Sequence, residues 1–329
     1  MRIRGLGRLR LMAGKLQNRL SPGAVILLYH RVAELPHDPL LLSVTPAHFE
    51  EHLQVLSRIT KPSSLRILAQ SLRSKNSIAH GTVITFDDGA ADNLHNAKPL
   101  LERYDIPATV FVATEYSKGE REFWWDALER LLLVPPELPE SLSLKINGAT
   151  LNWTVEPLNV QASRKKLYQQ MGDSLRLLPS AQRFDIISEL QHWSGRGTAP
   201  RQTHRALSHS EIRELAAGGL VEIGAHTVTH PVLSAIPAAQ QEDEIKQSKI
   251  RLEEILNEPV ESFAYPYGTM DDYTRESVTI VKRANFGCAC SNFKGVVQPK
   301  TSLYELPRFV VRDWDGEEFE RHLRGWFRG

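Results

Sequence analysis

Hydrophobic residues recur along the chain in two alternating periods. Ala24 to Tyr29, Thr82 to Phe86, Ala108 to Val112, Val221 to Gly224, Ser262 to Tyr265, Phe286 to Cys290 and Leu306 to Val311 are short apolar runs, and each predicts a buried strand. Helical spacing lies between them. Thr45 and Pro46 form an N-cap with proline at the first helical position, ahead of Phe49, Leu53 and Leu56. Leu94, Ala97, Leu100 and Leu101 predict the next helix. Ser208 and Glu211 have capping-box spacing before Ile212 and Leu215, and Gly218 with Gly219 stops that helix. Glu242 to Leu256, Tyr273 to Arg283 and Glu317 to Trp326 continue the pattern. Strand and helix alternate, so the expected architecture is α/β with a parallel sheet or barrel.

The rhythm breaks over residues 115–205. This stretch carries Trp124 and Trp125, a proline-rich break at Pro135 to Pro139, a hairpin signal at Asn147 and Gly148, and a polar helical region from Arg164 to Leu190. The expected organisation is a basic leader (1–22), a barrel formed by 23–114 and 206–329, and an inserted subdomain (115–205). No repeat of fixed period is present.

Composition narrows the class of protein. With 41% hydrophobic and 24% charged residues, whole-chain disorder is excluded. Forty basic against 39 acidic residues leave a net charge of +1, which gives no general electrostatic reason to bind nucleic acid. Cys288 and Cys290 are too few for a disulfide framework and lack a second pair for a zinc site, so they are expected as reduced core residues. No apolar run approaches the roughly 18 residues of a spanning helix. Residues 1–20 carry Arg2, Arg4, Arg8, Arg10, Lys15 and Arg19 without an acidic residue and without a secretory apolar core. A cytoplasmic location is expected, with the leader either solvated or lying on the anionic inner membrane surface.

Two constellations carry candidate chemistry. Thr85-Phe86-Asp87-Asp88-Gly89 places adjacent carboxylates at a strand end, where they point in different directions. One of them can then hold a cation while the other faces substrate or water, although paired acids before glycine also serve as a plain capping turn. His226-Thr227-Val228-Thr229-His230 follows another strand, and imidazoles four apart converge on one side of a helical turn. They suit zinc or a related divalent ion, or cap a helix. Two nitrogens with one carboxylate oxygen leave positions open for water, as in a catalytic site.

These two motifs, the longer run Glu222 to Pro231, and Phe263-Ala264-Tyr265-Pro266-Tyr267-Gly268 together resemble the polysaccharide deacetylases of the NodB-homology type, carbohydrate esterase family 4. The resemblance covers about residues 24–114 and 206–312. It implies a distorted (β/α)7-type barrel with its site at the carboxyl ends of the strands. It also implies Asp87 as general base, Asp88, His226 and His230 as ligands of one divalent metal, zinc by preference, and the Tyr267 backbone N–H as oxyanion donor. Many members carry an arginine two residues before the motif proline, where this chain has Ala264. Arg308, in Leu306-Pro307-Arg308, is the candidate to orient the base, or else forms a surface salt bridge.

The family's late acid histidine has no counterpart here except His322, on an exposed helix. His30, in Leu28-Tyr29-His30-Arg31, resembles the acid of the circularly permuted branch that includes biofilm poly-N-acetylglucosamine deacetylases. Tyr265, Pro266, Tyr267 and Trp314 are expected to line the substrate cleft, and Trp124 and Trp125 to be buried anchors. His48, His52, His204 and His209 are taken as solvated or helix-end residues. The function implied is metal-dependent removal of an N-acyl group, acetyl foremost, from an amino sugar in a saccharide or lipid-linked glycan precursor. A deformylase or cyclic-amide hydrolase on the same scaffold and a non-catalytic carbohydrate-binding protein are the alternatives.

Overall fold

The computed structural model describes residues 23–74, 81–119, 121–156, 158–197 and 199–328. The basic leader lies outside the described residues. Twelve strands and ten α-helices are named below in chain order among the described residues. The six uncharged residues Ala24–Tyr29 form β1 and are all buried, as in a strand covered on both faces. Three short strands and two helices follow: β2 (Arg31–Val32), β3 (Ser43–Val44), α1 (Pro46–Ile59), β4 (Lys61–Pro62) and α2 (Leu65–Arg73). Next come β5 (Gly81–Phe86), α3 (Lys98–Tyr104), β6 (Ala108–Val112) and α4 (Trp124–Leu132). A hairpin of β7 (Ser141–Ile146) and β8 (Ala149–Thr154) precedes α5 (Val160–Arg176) and α6 (Ser180–Ser194). The chain ends with α7 (His209–Ala216), β9 (Val221–Ala225), α8 (Ala238–Leu256), β10 (Ser262–Ala264), α9 (Arg275–Arg283), β11 (Cys288–Cys290), β12 (Phe309–Val310) and α10 (Gly316–Arg328).

The main sheet runs β11-β10-β9-β6-β5-β1-β12, parallel throughout, with β4 added at the start of β5. It curls into a half-barrel, the expected α/β barrel-type fold. Its two edges are stitched by residues 306–310. Leu306 pairs in parallel with Cys290 of β11, and Phe309 pairs with Leu27 of β1. β12 is shorter than its apolar run because residues 306–310 divide their pairing between β11 and β1. The barrel core is one cluster of buried side chains, among them Val25, Leu27, Phe49, Phe86, Val110, Phe263 and Phe319.

Local signals that the sequence carries are realised as hydrogen bonds. Thr45 Oγ1 accepts from His48 N–H at the start of α1, and the Ser208–Glu211 capping box is complete. Asn147 and Gly148 both adopt positive φ, 50° and 79°, which matches a two-residue turn to the twist of the β7–β8 hairpin. The polar run from Arg164 to Leu190 is two helices, because Pro179 caps the second. Helix α8 starts at Ala238 behind Pro237, one turn before the expected Glu242. No helix of the described residues is long and apolar enough to cross a membrane.

Between β6 and β9 the chain builds a second hydrophobic cluster. It gathers Tyr116, Phe123, Trp124, Trp125, Leu128, Trp153, Leu167, Met171 and Leu190, and Tyr267 packs against it from the barrel. The expected buried role of Trp124 and Trp125 matches their place in this cluster. Cys288 and Cys290 are buried, free thiols.

Candidate active site

Strand β5 delivers the paired carboxylates and a sharp turn separates them. Asp88 and Gly89 both lie at φ 76°, a region open to glycine and sparsely used by other residues. A Cβ on Gly89 would stand 3.0 Å from Val112 Cγ2, so the turn packs against β6 with no room for a side chain. Asp87 turns to Arg308. The guanidinium donates from Nη1 to Oδ1 and from Nη2 to Oδ2, each at 2.7 Å, and from Nε to the Ser291 carbonyl at 2.7 Å. Arg308 is 1% exposed, so this is a buried bidentate pair and not a surface salt bridge.

Asp88 turns the other way, to the loop after β9. Its Oδ1 lies 3.6 Å from His226 Nε2 and 3.4 Å from His230 Nε2. The loop is not the helical turn that the His-x-x-x-His spacing suggests. Thr227 and His230 take φ 64° and 55°, and these left-handed residues fold the chain back so that the two rings stand 4.8 Å apart between centroids. His226 Nδ1 donates to the Ala264 carbonyl at 2.8 Å, which leaves the Nε2 lone pair facing Asp88. Ala264 therefore contributes a backbone atom at the position where the family pattern carries arginine.

The donor set fits a divalent ion. One ligand atom each from Asp88, His226 and His230 lies within 4.8 Å of the others, and all three residues are buried. Tetrahedral zinc, with bonds of about 2.0–2.2 Å, spaces its ligand atoms by about 3.3–3.6 Å, which the two Asp88 distances match. Electrostatics agree. Burial, then the Asp87 charge, raises the Asp88 carboxyl well above its ordinary value, and burial lowers both histidines. The three groups thus favour their neutral forms, and a cation is the charge that would stabilise the carboxylate while using the free imidazole lone pairs.

Burial would raise the Asp87 carboxyl, but Arg308, with His226 and His30, holds it below the ordinary carboxylate value. His30 follows β1, its carbonyl accepting from Asn93 Nδ2 at 3.0 Å, and its side chain faces the same cavity. Burial pushes His30 down to about 4, with Asp87 the largest influence in the other direction. Tyr267 takes φ 59° in a tight turn, and Asn292 Nδ2 donates to its carbonyl at 3.0 Å. Its own N–H finds no acceptor among the described residues.

These groups open on a cavity of about 650 Å³. The barrel lines it with His30, Leu40, Leu42, Asp87, Asp88, His226, His230, Tyr267, Thr269 and Asn292. Trp124, Trp125 and, from α5, Tyr168, Gln169, Gly172, Asp173 and Arg176 complete it. The sequence reading missed the α5 residues and the Leu40–Leu42 loop. Neither has a motif, and only the i, i+3, i+4 spacing of Gln169, Gly172, Asp173 and Arg176 marks one helix face.

Three expected cleft residues lie elsewhere. Tyr265 is fully buried, stacks on Tyr273 at 4.1 Å and donates its hydroxyl to the Tyr304 carbonyl, because it follows β10 into the barrel core. Pro266 is buried in the turn, its carbonyl accepting from Gly268 N–H. Trp314 stacks on His322 at 4.0 Å, on the outer side of the barrel, and does not line the cavity. Nor is His52 solvated. It is 0% exposed, accepts from the Tyr29 hydroxyl at Nδ1 and donates from Nε2 to the Trp314 carbonyl. His204 is likewise buried, beside Thr203.

Comparison with known proteins points the same way. The family model described as polysaccharide deacetylase matches residues 75–137 and 191–286, on either side of a stretch that holds α5 and most of α6. No curated protein sequence matches the chain. Among solved structures, the Streptococcus pyogenes deacetylase PplD in complex with acetate is similar at a TM-score of 0.60 and 18% identity, over 92% of this chain and 98% of that one. IcaB from Ammonifex degensii gives 0.59 and 18%, over 94% and 98%. The BpsB deacetylase domain from Bordetella bronchiseptica gives 0.53 and 16%, over 88% and 96%. The chain thus carries a polysaccharide deacetylase match over residues 75–137 and 191–286.

Proposed function

We propose that the protein is a metal-dependent hydrolase that removes an N-acyl group, acetyl foremost, from an amino sugar in a saccharide or a lipid-linked glycan precursor. The observation that carries this reading is the convergence of Asp88, His226 and His230 at ligand spacing beside an arginine-paired Asp87, all on one cavity. Zinc is the favoured ion, on two imidazole nitrogens and one carboxylate oxygen. When bound it supplies a Lewis acid at the amide oxygen and a water of lowered pKa.

The chain's own residues then divide the work. Asp87, kept ionised by Arg308, accepts the proton of the attacking water. The Tyr267 N–H donates to the oxygen that gains charge. His30 protonates the leaving nitrogen, in the manner of the permuted branch. Burial disfavours its charged form and the Asp87 charge favours it. Trp124, Trp125, Tyr168, Leu40 and Leu42 give the cavity an apolar wall suited to the acyl methyl and to sugar ring faces. The deacetylase PplD, similar in fold, is described in complex with acetate, the product expected here.

The test is metal content and acyl release, measured on untagged wild type and His226→Ala with formyl, acetyl and cyclic-amide substrates. The expected result is about one divalent ion per wild-type chain, none in the variant, and release of acetate by wild type alone. Wild type that retains no metal after reconstitution, or that binds oligosaccharide and releases no acyl group, overturns the reading.

A further inference from the structure

The loop that carries His226 and His230 is held from two sides. On the barrel side, Glu244 of α8 accepts from the Val228 and Thr229 N–H groups at 2.8 Å each and from Thr229 Oγ1 at 2.7 Å. Within the loop, Thr227 Oγ1 donates to the His226 carbonyl and accepts from His230 N–H at 3.1 Å. The Thr227 and Val228 carbonyls accept from the Thr114 and Glu115 N–H groups at 3.2 and 2.9 Å, which leaves the Thr229 and His230 carbonyls for the helices of the 115–205 segment. There Arg183 of α6 donates from Nη2 to the Thr229 carbonyl at 3.1 Å and from Nη1 to the His230 carbonyl at 3.2 Å. Arg183 is 1% exposed, and no carboxylate among the described residues pairs with it. A buried guanidinium without a counter-charge is costly unless its donors are used. Here Nη1 and Nη2 are spent on the backbone of a metal-ligand loop, while Nε has no partner among the described residues.

We propose that Arg183 is a positioning residue of the metal site, through which α6 fixes the angle at which His230 presents Nε2 to Asp88. The proposal rests on the reading of Asp88, His226 and His230 as metal ligands. The geometry explains the residue type. Two adjacent carbonyls in a left-handed turn diverge, and a planar fork spans both where a lysine reaches one. It also assigns the 115–205 segment a part in metal binding besides its part in the cavity wall.

Two effects of Arg183 on a bound cation have opposite signs, and this makes the test sharp. Its positive charge repels the ion, whereas its hydrogen bonds hold the ligand in place. Arg183→Lys keeps the charge and loses the fork, and Arg183→Met loses both. Zinc affinity and thermal unfolding of the metal-free protein are measured on the full untagged chain for both variants and wild type. Arg183→Lys is expected to melt cooperatively and to bind zinc about tenfold more weakly, at the low end of the roughly 10- to 100-fold range for groups that orient metal ligands. Arg183→Met is expected to bind more weakly than wild type as well, with part of the loss offset by the removed repulsion. Unchanged or tighter zinc binding in a folded Arg183→Lys overturns the proposal. So does loss of the fold in both variants, which makes Arg183 a structural residue only. Wild type that binds no zinc brings down the metal reading itself, an outcome seen before either variant is compared.

Discussion

The barrel and the 115–205 segment meet across one cavity, yet they build their sides of it in different ways. On the barrel side, three of the strand ends that carry candidate groups pass through turns with positive φ: Asp88 after β5, Thr227 and His230 after β9, and Tyr267 after β10. Each turn is then tied by hydrogen bonds, from Leu207 N–H to the Gly89 carbonyl, from the loop to Glu244 and from Asn292 to the Tyr267 carbonyl, so the groups are fixed by backbone geometry. The opposite wall is one face of α5, where Gln169 and Asp173 are exposed side chains on a helix with its own core behind it. The first construction gives fixed distances, which proton transfer and metal ligation require. The second allows side chains to change without altering the strand ends. Reaction chemistry is therefore expected to follow the barrel, and substrate preference the helix.

The largest expected effect breaks the chemistry without touching the wall. Asp87→Asn keeps the shape and the metal ligands but removes the proton acceptor, and turnover is expected to fall by about 10²–10⁴. Metal content by elemental analysis should match wild type. A variant that loses its metal would make Asp87 a ligand and move it out of the base role.

Arg308 is expected to come next, and its effect is readable in pH. Asp87 is depressed in the folded protein, so its stabilising contribution is present above the unfolded carboxyl value of about 3.9 and is lost as pH falls through the folded value. Arg308→Met leaves the carboxylate buried and unpaired, at about 3–5 kcal/mol near neutral pH. Denaturant unfolding should show that penalty at pH 7 and a smaller one at acid pH, where Asp87 is protonated. Arg308→Lys, with one weaker contact, is expected to move the acid limb of the turnover profile to higher pH. A limb that stays in place would assign it to another group.

The same contrast explains what could be read from sequence. Strand-end chemistry is legible because strand, turn and ligand are contiguous: Thr85 to Gly89 and His226 to His230 announce both their position and their partners. The Asp87–Arg308 pair spans over 200 residues and was reachable only through the departure at Ala264, which left the base without its usual arginine. Trp314 misled because an aromatic residue near the last strand looks the same whether it faces the cavity or packs on His322 of α10. Tyr265 misled through a neighbour effect, since the turn after β10 sends Tyr267 to the cavity and leaves Tyr265 in the core. Arg183 had no signal at all, because its partners are carbonyl groups that every residue possesses.

The smallest expected effect falls on the helical wall and sharpens the division most. Asp173 is exposed, lines the cavity and makes no ion pair or hydrogen bond among the described residues. Its removal should cost the fold little. If its carboxylate accepts a hydrogen bond from a sugar hydroxyl, the contact is worth about 1.5–3 kcal/mol, which corresponds to a change of about 12- to 160-fold. Asp173→Ala is therefore expected to raise KM within that range and to leave kcat near wild type, because a contact made equally in the ground and transition states acts on binding alone. Steady-state kinetics over saturating substrate separate the two constants. A fall in kcat comparable to that of Asp87→Asn would show that α5 also takes part in the chemical step, and the assignment of chemistry to one wall and preference to the other would fail.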